Sequence, residues 1–202
     1  IAAVLPLKPR GAGEFDAPPG ALSRRLFGHA PFVDRIARRA TFVSPQAIAN
    51  SEFNLYHSGR AAVRSYKTPV ELFGQIEAAI REAAEPAYVY AYYSELDTLA
   101  HIHGVGSDKL ATQFAALDEA FGAFLAAIAG SDTVVLACAD HGFIDSPPER
   151  QIDLAQHPKL AEALARPLCG ERRVVYCYVR PGQATRFEDY VAENFGHCMD
   201  AF

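Results

Sequence analysis

The feature that most constrains the fold is an alternation of two apolar runs with one long helical pattern. Residues 87–93 are aromatic or small and residues 133–136 are β-branched or aliphatic, a composition typical of buried strands. Between them, Ser107 can cap a helix that runs to about Ala129 and is closed by Gly130. A strand, a helix and a strand of these lengths imply a right-handed crossover with parallel strands. The sequence therefore predicts an α/β fold with a mostly parallel central sheet flanked by helices.

The flanking segments extend this pattern into a single predicted α/β domain over residues 1–202. Residues 1–31 are rich in Pro, Gly and Ala, so they are predicted to be a loop region with one short strand at 1–5. The clearest helix start is Thr68-Pro69, because threonine caps a helix and proline suits its first position. Helices are predicted over about 32–39, 69–84, 158–165 and 185–195, and short strands over 41–43 and 173–179.

Charge and hydropathy argue against two classes of partner. The net charge is −5 and there is no basic block, so no nucleic-acid-binding surface is predicted. The longest apolar stretches are well short of a bilayer span, so no membrane segment is predicted in this chain. The four cysteines form no C-x-x-C pair; Cys138 and Cys177 lie in apolar runs and are predicted to be buried thiols. Cysteine usage does not fix the compartment.

Two pairs of acidic and histidine residues follow the two apolar runs. Asp97 and His101 come after the first run, and Asp140 and His141 come directly after the second. In open parallel sheets, ligands bind outside the carboxyl ends of the strands, so both pairs are expected at one edge of the sheet. Asp97 and His101 are four positions apart and share a face of a helical turn. Asp140 and His141 converge only on a sharply bent loop, which Gly142 permits.

These residue types are suited to binding divalent metal ions. Carboxylate and neutral imidazole are ligands for Zn²⁺, and also for Mn²⁺ or Fe. A pair of such ions can clamp the oxygens of a phosphate or sulfate ester. A single Asp or His in a loop is ordinarily a solvated residue or a cap, but two pairs at equivalent positions favour a metal centre. His103 is predicted not to be a ligand, because its two-residue offset from His101 points it elsewhere.

Three other groups of residues have ordinary structural interpretations. Ser51 has no adjacent base and is predicted to be a turn or helix-cap residue rather than a nucleophile. His57 is predicted to lie in a surface loop. The tyrosines at 88, 90, 92 and 93 are predicted to pack in the sheet with their hydroxyls at its edges.

Both pairs lie in segments that resemble motifs of a known family. Residues 93–104 (YSELDTLAHIHG) are similar to the D-x-x-x-H-x-x-G segment, preceded by a tyrosine, of the type I phosphodiesterase/nucleotide pyrophosphatase family. Residues 139–143 (ADHGF) resemble its (S/A)-D-H-G-(M/F) motif. Weaker similarity at 43–51 and 169–173 extends the resemblance over roughly residues 40–180. This family belongs to the alkaline phosphatase superfamily.

The resemblance implies an alkaline phosphatase-like fold that is incomplete at both ends. It also implies two divalent metal ions, of which zinc is the first candidate. By this resemblance, Asp97 and His101 bind one ion, and Asp140 and His141 bind the other. It implies hydrolysis of phosphodiester or pyrophosphate bonds in a small-molecule phosphoester.

The resemblance also leaves gaps. The family pattern includes an early Asp, a Thr or Ser nucleophile and a late His in a G-x-H-G-like segment, and none is evident. His197 is the only late histidine, and its context does not match that segment. The nucleophile is therefore unassigned, and the chain is expected to be the central part of a longer enzyme with little or no turnover alone. A related sulfatase, phosphonate hydrolase or metal-dependent mutase is the alternative, and a non-catalytic α/β domain is the alternative of another class.

Overall fold

The computed structural model describes residues 20–170 and 174–200, which form two compact units. The first unit ends at Asp145 and the second begins at Ser146. The elements of the first unit are α1 (Ala21–Leu26), a 3₁₀ turn (Phe32–Arg35), β1 (Arg39–Pro45), α2 (Gln46–Ala49), α3 (Glu52–Ser58), β2 (Ala62–Tyr66), α4 (Pro69–Arg81), β3 (Ala87–Ala91), α5 (Glu95–His103) and α6 (Asp108–Ala127). The predicted α/β class is confirmed, while the predicted single domain over residues 1–202 stays a prediction.

The sheet of the first unit has three parallel strands in the order β2-β1-β3. Thr41 in the central strand lies opposite Ala62 on one side and Val89 on the other. Residues 40–44 of β1 are all buried, as expected for a strand with a neighbour on each side. Because the strands are parallel, their carboxyl ends lie at one edge of the sheet.

Apolar side chains cover both faces of β1, because successive residues of a strand point to opposite faces. Phe42 packs in a cluster with Val33 and Ala40. Val43 packs in a separate cluster with Leu72 of α4, and Leu117 of α6 packs against that cluster. The sheet is therefore held between the α4–α6 layer and the segment around the 3₁₀ turn.

The predicted starts of the two long helices are confirmed. The Thr68 hydroxyl accepts a hydrogen bond from the Glu71 amide at 3.2 Å, with Pro69 at the first helical position. The Ser107 hydroxyl accepts from the Leu110 amide at 3.3 Å. These caps satisfy backbone donors that have no partner inside the helix.

The predicted strand over residues 133–136 is wrong. None of the described strands pairs with it, and Val134 and Leu136 are 84% and 89% exposed. A strand buried on both faces requires a neighbouring strand and a covering layer, and the described residues supply neither for this segment. Cys138 is accordingly exposed rather than buried, and the expected crossover from β3 into a further parallel strand is not formed.

Two local predictions near the start of the chain are also corrected. Within the predicted loop region 1–31, residues 21–26 form α1, while residues 1–19, including the predicted strand at 1–5, lie outside the described residues. The helix predicted over 32–39 is a single 3₁₀ turn, and β1 begins at Arg39. The β-branched and aromatic side chains of Thr41, Phe42 and Val43 favour the strand.

The second unit has its own small core around two helices. Its elements are 3₁₀ turns (Pro148–Arg150 and Leu154–Gln156), α7 (Pro158–Ala163), β4 (Cys169–Gly170), β5 (Val175–Tyr176) and α8 (Ala184–Phe195). Leu160 of α7 packs with Phe187 and Phe195 of α8. The strand predicted over 173–179 is reduced to β5, which pairs antiparallel with β4. In the described parts of both units, no helix has the length and apolar character to cross a bilayer.

Candidate metal centre

The first Asp–His pair stands on a helix that begins at the carboxyl edge of the sheet. Helix α5 follows β3 after three residues, so its first turn lies where the parallel strands end. Asp97 and His101 are one helical turn apart on the same face. His101 Nε2 lies 3.4 Å from Asp97 Oδ1, and both side chains are accessible to solvent. The local geometry expected from the four-residue spacing is therefore present.

The second pair reaches the first pair from an irregular segment. His141 Nε2 lies 3.6 Å from Asp97 Oδ1, although the two residues are far apart in the sequence. Asp140 Oδ1 lies 3.8 Å from the same imidazole nitrogen. The structure thus brings the four predicted residues together around Asp97 and His141. Their role as metal ligands stays a prediction.

A backbone contact fixes the tautomer of His141. Its Nδ1 lies 3.0 Å from the carbonyl oxygen of Gly142, and a carbonyl oxygen can only accept a hydrogen bond. Nδ1 therefore carries the proton, and in the neutral ring Nε2 has a free lone pair. Nε2 lies 3.6 Å from the Asp97 carboxylate, so the two groups together offer donors of the kinds that a metal ion binds.

The donor types suit a divalent ion, and two of their pairwise separations are close to those of neighbouring ligands. With Zn–N and Zn–O bonds of about 2.0–2.2 Å, neighbouring donors on a tetrahedral ion lie about 3.3–3.5 Å apart. The observed 3.4 and 3.6 Å from Asp97 Oδ1 to the two imidazoles are close to that spacing. No three His, Cys, Asp or Glu side chains within residues 20–170 and 174–200 are arranged to hold an ion as they stand. Each Asp–His pair therefore supplies suitable donors, and a complete ligand set for an ion requires at least one further donor.

Tyr92 belongs to this site, although the sequence patterns indicated only sheet packing. Burial raises the pKa of the Tyr92 phenol, and the negative charges of Asp140 and Asp97 raise it further. Its hydroxyl therefore stays protonated and can donate a hydrogen bond. Its position directly after β3, at the carboxyl edge of the sheet, is the sequence signal that could have identified it.

A cavity of about 270 Å³ lies at the same edge of the sheet. Its lining residues lie at or just after the ends of the three strands, or belong to α6: Pro45, Tyr66, Lys67, Thr68, Pro69, Tyr93, Ser94, Glu95 and Gln113. The rings of Tyr66 and Tyr93 are nearly parallel, with centroids 6.3 Å apart. Burial raises the pKa of both phenols above the ordinary value, so both remain neutral donors. Ser94 and Glu95 connect this cavity to the helix that carries the first pair.

Three other residues selected from the sequence have structural roles. Ser51 caps α3, as predicted, with its hydroxyl accepting from the Asn54 amide at 3.2 Å. The predicted surface loop for His57 is wrong, because it lies in α3 and its Nδ1 donates to the Phe53 carbonyl at 2.8 Å. His103 Nε2 lies 3.4 Å from Lys109 Nζ.

His197 follows α8 in the second unit. Its assignment as a further ligand was not supported by its sequence context. Both Asp–His pairs lie in the first unit, and no contact among the described residues tests a ligand role for His197.

Comparison with known families gives a match over most of the chain. The family model described as type I phosphodiesterase / nucleotide pyrophosphatase matches residues 11–199 of the 202 residues. The matched range includes the sheet, both Asp–His pairs and α8. No curated protein and no solved structure matches the chain.

Proposed function

The chain belongs to the type I phosphodiesterase / nucleotide pyrophosphatase family, and from this premise we propose that it carries the metal-binding part of a hydrolase. The proposed reaction is cleavage of phosphodiester or pyrophosphate bonds. The proposed substrate is a small phosphoester, since a chain with 19 basic and 24 acidic residues offers no polyanion-binding excess of charge.

One observation carries the proposal. A single carboxylate oxygen, Asp97 Oδ1, faces the Nε2 atoms of both His101 and His141. The second of these nitrogens is free of a proton in the neutral ring, because Nδ1 of His141 donates to the Gly142 carbonyl. Backbone hydrogen bonding that fixes a tautomer in this way is typical of metal-binding histidines.

Following the family motifs, we assign Asp97 and His101 to one divalent ion and Asp140 and His141 to the other. The two pairs lie side by side, with Asp97 Oδ1 3.6 Å from His141 Nε2. Zinc is proposed first, with manganese or iron as alternatives, because carboxylate and imidazole donors accept all three. Ions held there would stabilise the negative charge that develops on the phosphoryl oxygens during P–O cleavage. The two carboxylates balance the charge of the ions, and the neutral Tyr92 phenol beside them can donate a hydrogen bond to a phosphoryl oxygen.

The cavity beside α5 is proposed to receive the organic group of the substrate. Its volume of about 270 Å³ is small, so it accommodates one ring system rather than a large ligand. The stacked Tyr66 and Tyr93 rings provide an apolar wall for a planar or sugar ring. Lys67 is one of the lining residues, and its positive charge can attract the negative charge of the phosphoester.

Zinc binding tests the metal site directly. The 202-residue chain is expected to bind Zn²⁺ in isothermal titration calorimetry. His141→Gln should weaken this binding by about tenfold or more, since it removes a ligand nitrogen. The matched control is His103→Gln, a histidine on α5 that lies beside Lys109, and it should leave the affinity unchanged. Equal binding by the His141→Gln variant contradicts the assignment.

Turnover tests the reaction class. With only two proposed protein ligands per ion, against about three in catalytic zinc sites, the chain alone is expected to turn over slowly. Bis(p-nitrophenyl) phosphate should still be cleaved faster than p-nitrophenyl sulfate in the presence of Zn²⁺. Faster cleavage of the sulfate would favour the sulfatase alternative. Turnover that is unaffected by His141→Gln would contradict a metal-dependent hydrolase.

A further inference from the structure

A backbone-to-side-chain hydrogen bond joins the two segments that carry the Asp–His pairs. Asp145 Oδ1 accepts from the backbone amide of Val105 at 2.8 Å. Val105 lies two residues beyond α5, which carries the first pair, and Asp145 lies four residues beyond His141. The bond therefore ties the turn after the first pair to the loop after the second.

The turn at Gly104 is shaped to receive the Asp145 carboxylate. Gly104 has a φ of 84°, in the left-handed region that favours glycine. A Cβ atom at this position would lie 3.1 Å from Asp145 Oδ1, tighter than ordinary contact. The glycine thus provides both the backbone conformation and the space that the hydrogen bond to Val105 requires.

Phe143 contacts one imidazole from each pair. Its ring lies edge-on to His141, with centroids 5.1 Å apart and an interplanar angle of 81°. It also lies perpendicular to His101, at 6.5 Å and 90°. A ring in this position restricts the planes of both imidazoles, and therefore the positions of their Nε2 atoms.

These contacts matter because the sheet does not hold the second pair. Among the described residues, the backbone of residues 133–139 forms no ladder with β3 or any other strand. The approach of His141 to Asp97 at 3.6 Å must then be maintained by other contacts. The Val105–Asp145 hydrogen bond and the Phe143 ring are contacts between the two segments at this point.

We propose that Phe143 and Asp145 are positioning residues, which set the separation and orientation of the two Asp–His pairs. This inference rests on the proposed metal site. The residues that follow the second pair would hold the proposed ligands in place without binding the ion themselves. Support of this kind commonly changes metal affinity without touching the ion. Neither residue is among those that line the proposed substrate cavity.

The test combines zinc affinity with amide exchange at Val105. Asp145→Ala removes the acceptor, so it should lower Zn²⁺ affinity by about tenfold and speed hydrogen exchange of the Val105 amide in metal-free protein. Asp145→Asn keeps an oxygen acceptor at the same position and should behave like the wild type in both measurements. A matching loss in Asp145→Asn would overturn positioning through this bond, because it would assign the effect to charge.

A matched control and a second position complete the test. Asp153 Oδ1 accepts from the Ala155 amide at 3.0 Å, the same kind of bond within a local turn of the second unit. Asp153→Ala should therefore leave zinc affinity unchanged. Phe143→Ala should weaken zinc binding, and Phe143→Met, which restores apolar bulk, should recover most of it.

The possible failures are distinguishable. If Asp145→Ala and Phe143→Ala both bind zinc as tightly as the wild type does, this inference is overturned. The proposed function is unaffected by that result. A wild-type chain that binds no zinc overturns the proposed function and this inference together. Unchanged exchange of the Val105 amide in Asp145→Ala shows that the bond is not formed in solution.

Discussion

The two Asp–His pairs contain the same residue types but have unequal structural support. Asp97 and His101 stand on α5, which follows a paired strand directly and whose Ala100 is buried. Asp140 and His141 stand on an irregular segment whose residues 138–146 are all exposed. The first pair is placed by secondary structure, and the second is placed by side-chain contacts to the first. A motif therefore indicates which residues meet more reliably than it indicates how the chain holds them.

The difference arises from what surrounds each segment. β1 has a paired strand on each side and apolar clusters on both faces. Residues 133–136 have equally strong strand-forming side chains but no described strand beside them. Strand propensity measures how well a side chain fits a sheet that is already present, so it does not by itself produce one.

The largest predicted effect compares one leucine in each region. Leu72 of α4 is 3% exposed and packs in the cluster on β1, whereas Leu136 is 89% exposed. Leu72→Ala is expected to lower the free energy of unfolding by about 2–5 kcal/mol, because it leaves a cavity in the core. Leu136→Ala should change it by less than about 0.5 kcal/mol. Urea denaturation of both variants measures the two values.

Equal losses in the two leucine variants would contradict the comparison. They would mean that Leu136 is buried in solution and that its segment belongs to the core. A small loss in Leu72→Ala would instead mean that the α4 layer contributes little to stability. Zinc affinity is not needed for either measurement.

Local signals explain which elements the sequence predicts well. Thr68 and Pro69 define the start of α4, and Ser107 defines the start of α6, because capping depends only on nearby residues. β2 was not predicted, since its short alternation is interrupted by Arg64, and its pairing with β1 is a long-range property. The wrong strand at 133–136 has the same origin, because a partner cannot be read from a single segment.

In the candidate site, too, local geometry is more predictable from the sequence than long-range contacts are. The four-residue spacing correctly predicts that His101 approaches Asp97, since helix geometry fixes that distance. The meeting of His141 with Asp97 was predicted from two adjacent strand ends, and it occurs without the second strand. Tyr92 was missed because its effect arises from charges that only the fold brings near it.

The next largest predicted effect on stability is at Tyr66, whose side chain links β2 to the chain just before α5. Its hydroxyl donates to the Tyr92 carbonyl at 2.7 Å. Tyr66→Phe should therefore lower the free energy of unfolding by about 0.5–1.5 kcal/mol at pH 8. Thermal or urea unfolding measures this loss, and Tyr176→Phe, at an exposed tyrosine, is the control.

The pH dependence of this difference has a definite sign. Burial raises the pKa of Tyr66 in the folded state, with a further contribution from Tyr93 and Tyr92, above the unfolded value of about 10. Below that pH both states are neutral and the stabilisation is complete. Above it the unfolded state loses its proton first, so stability falls as the pH rises. The gap between wild type and Tyr66→Phe should narrow above about pH 10, and a gap that widens there contradicts the burial of this phenol.

The smallest predicted effect decides whether the second pair is held by a strand after all. Val135 lies in the segment 133–136, and no described residue accepts a hydrogen bond from its backbone amide. Val135→Pro removes that amide, so it should change the free energy of unfolding by less than about 0.5 kcal/mol. The control is Val89→Pro in β3, which breaks a strand paired with β1 and should destabilise strongly. If the two proline variants are equally harmful, residues 133–136 are paired in solution and His141 sits at a strand end. If only Val89→Pro is harmful, residues 133–136 are unpaired in solution as they are in the structure, and the second pair depends on contacts outside a strand, such as those of Phe143 and Asp145.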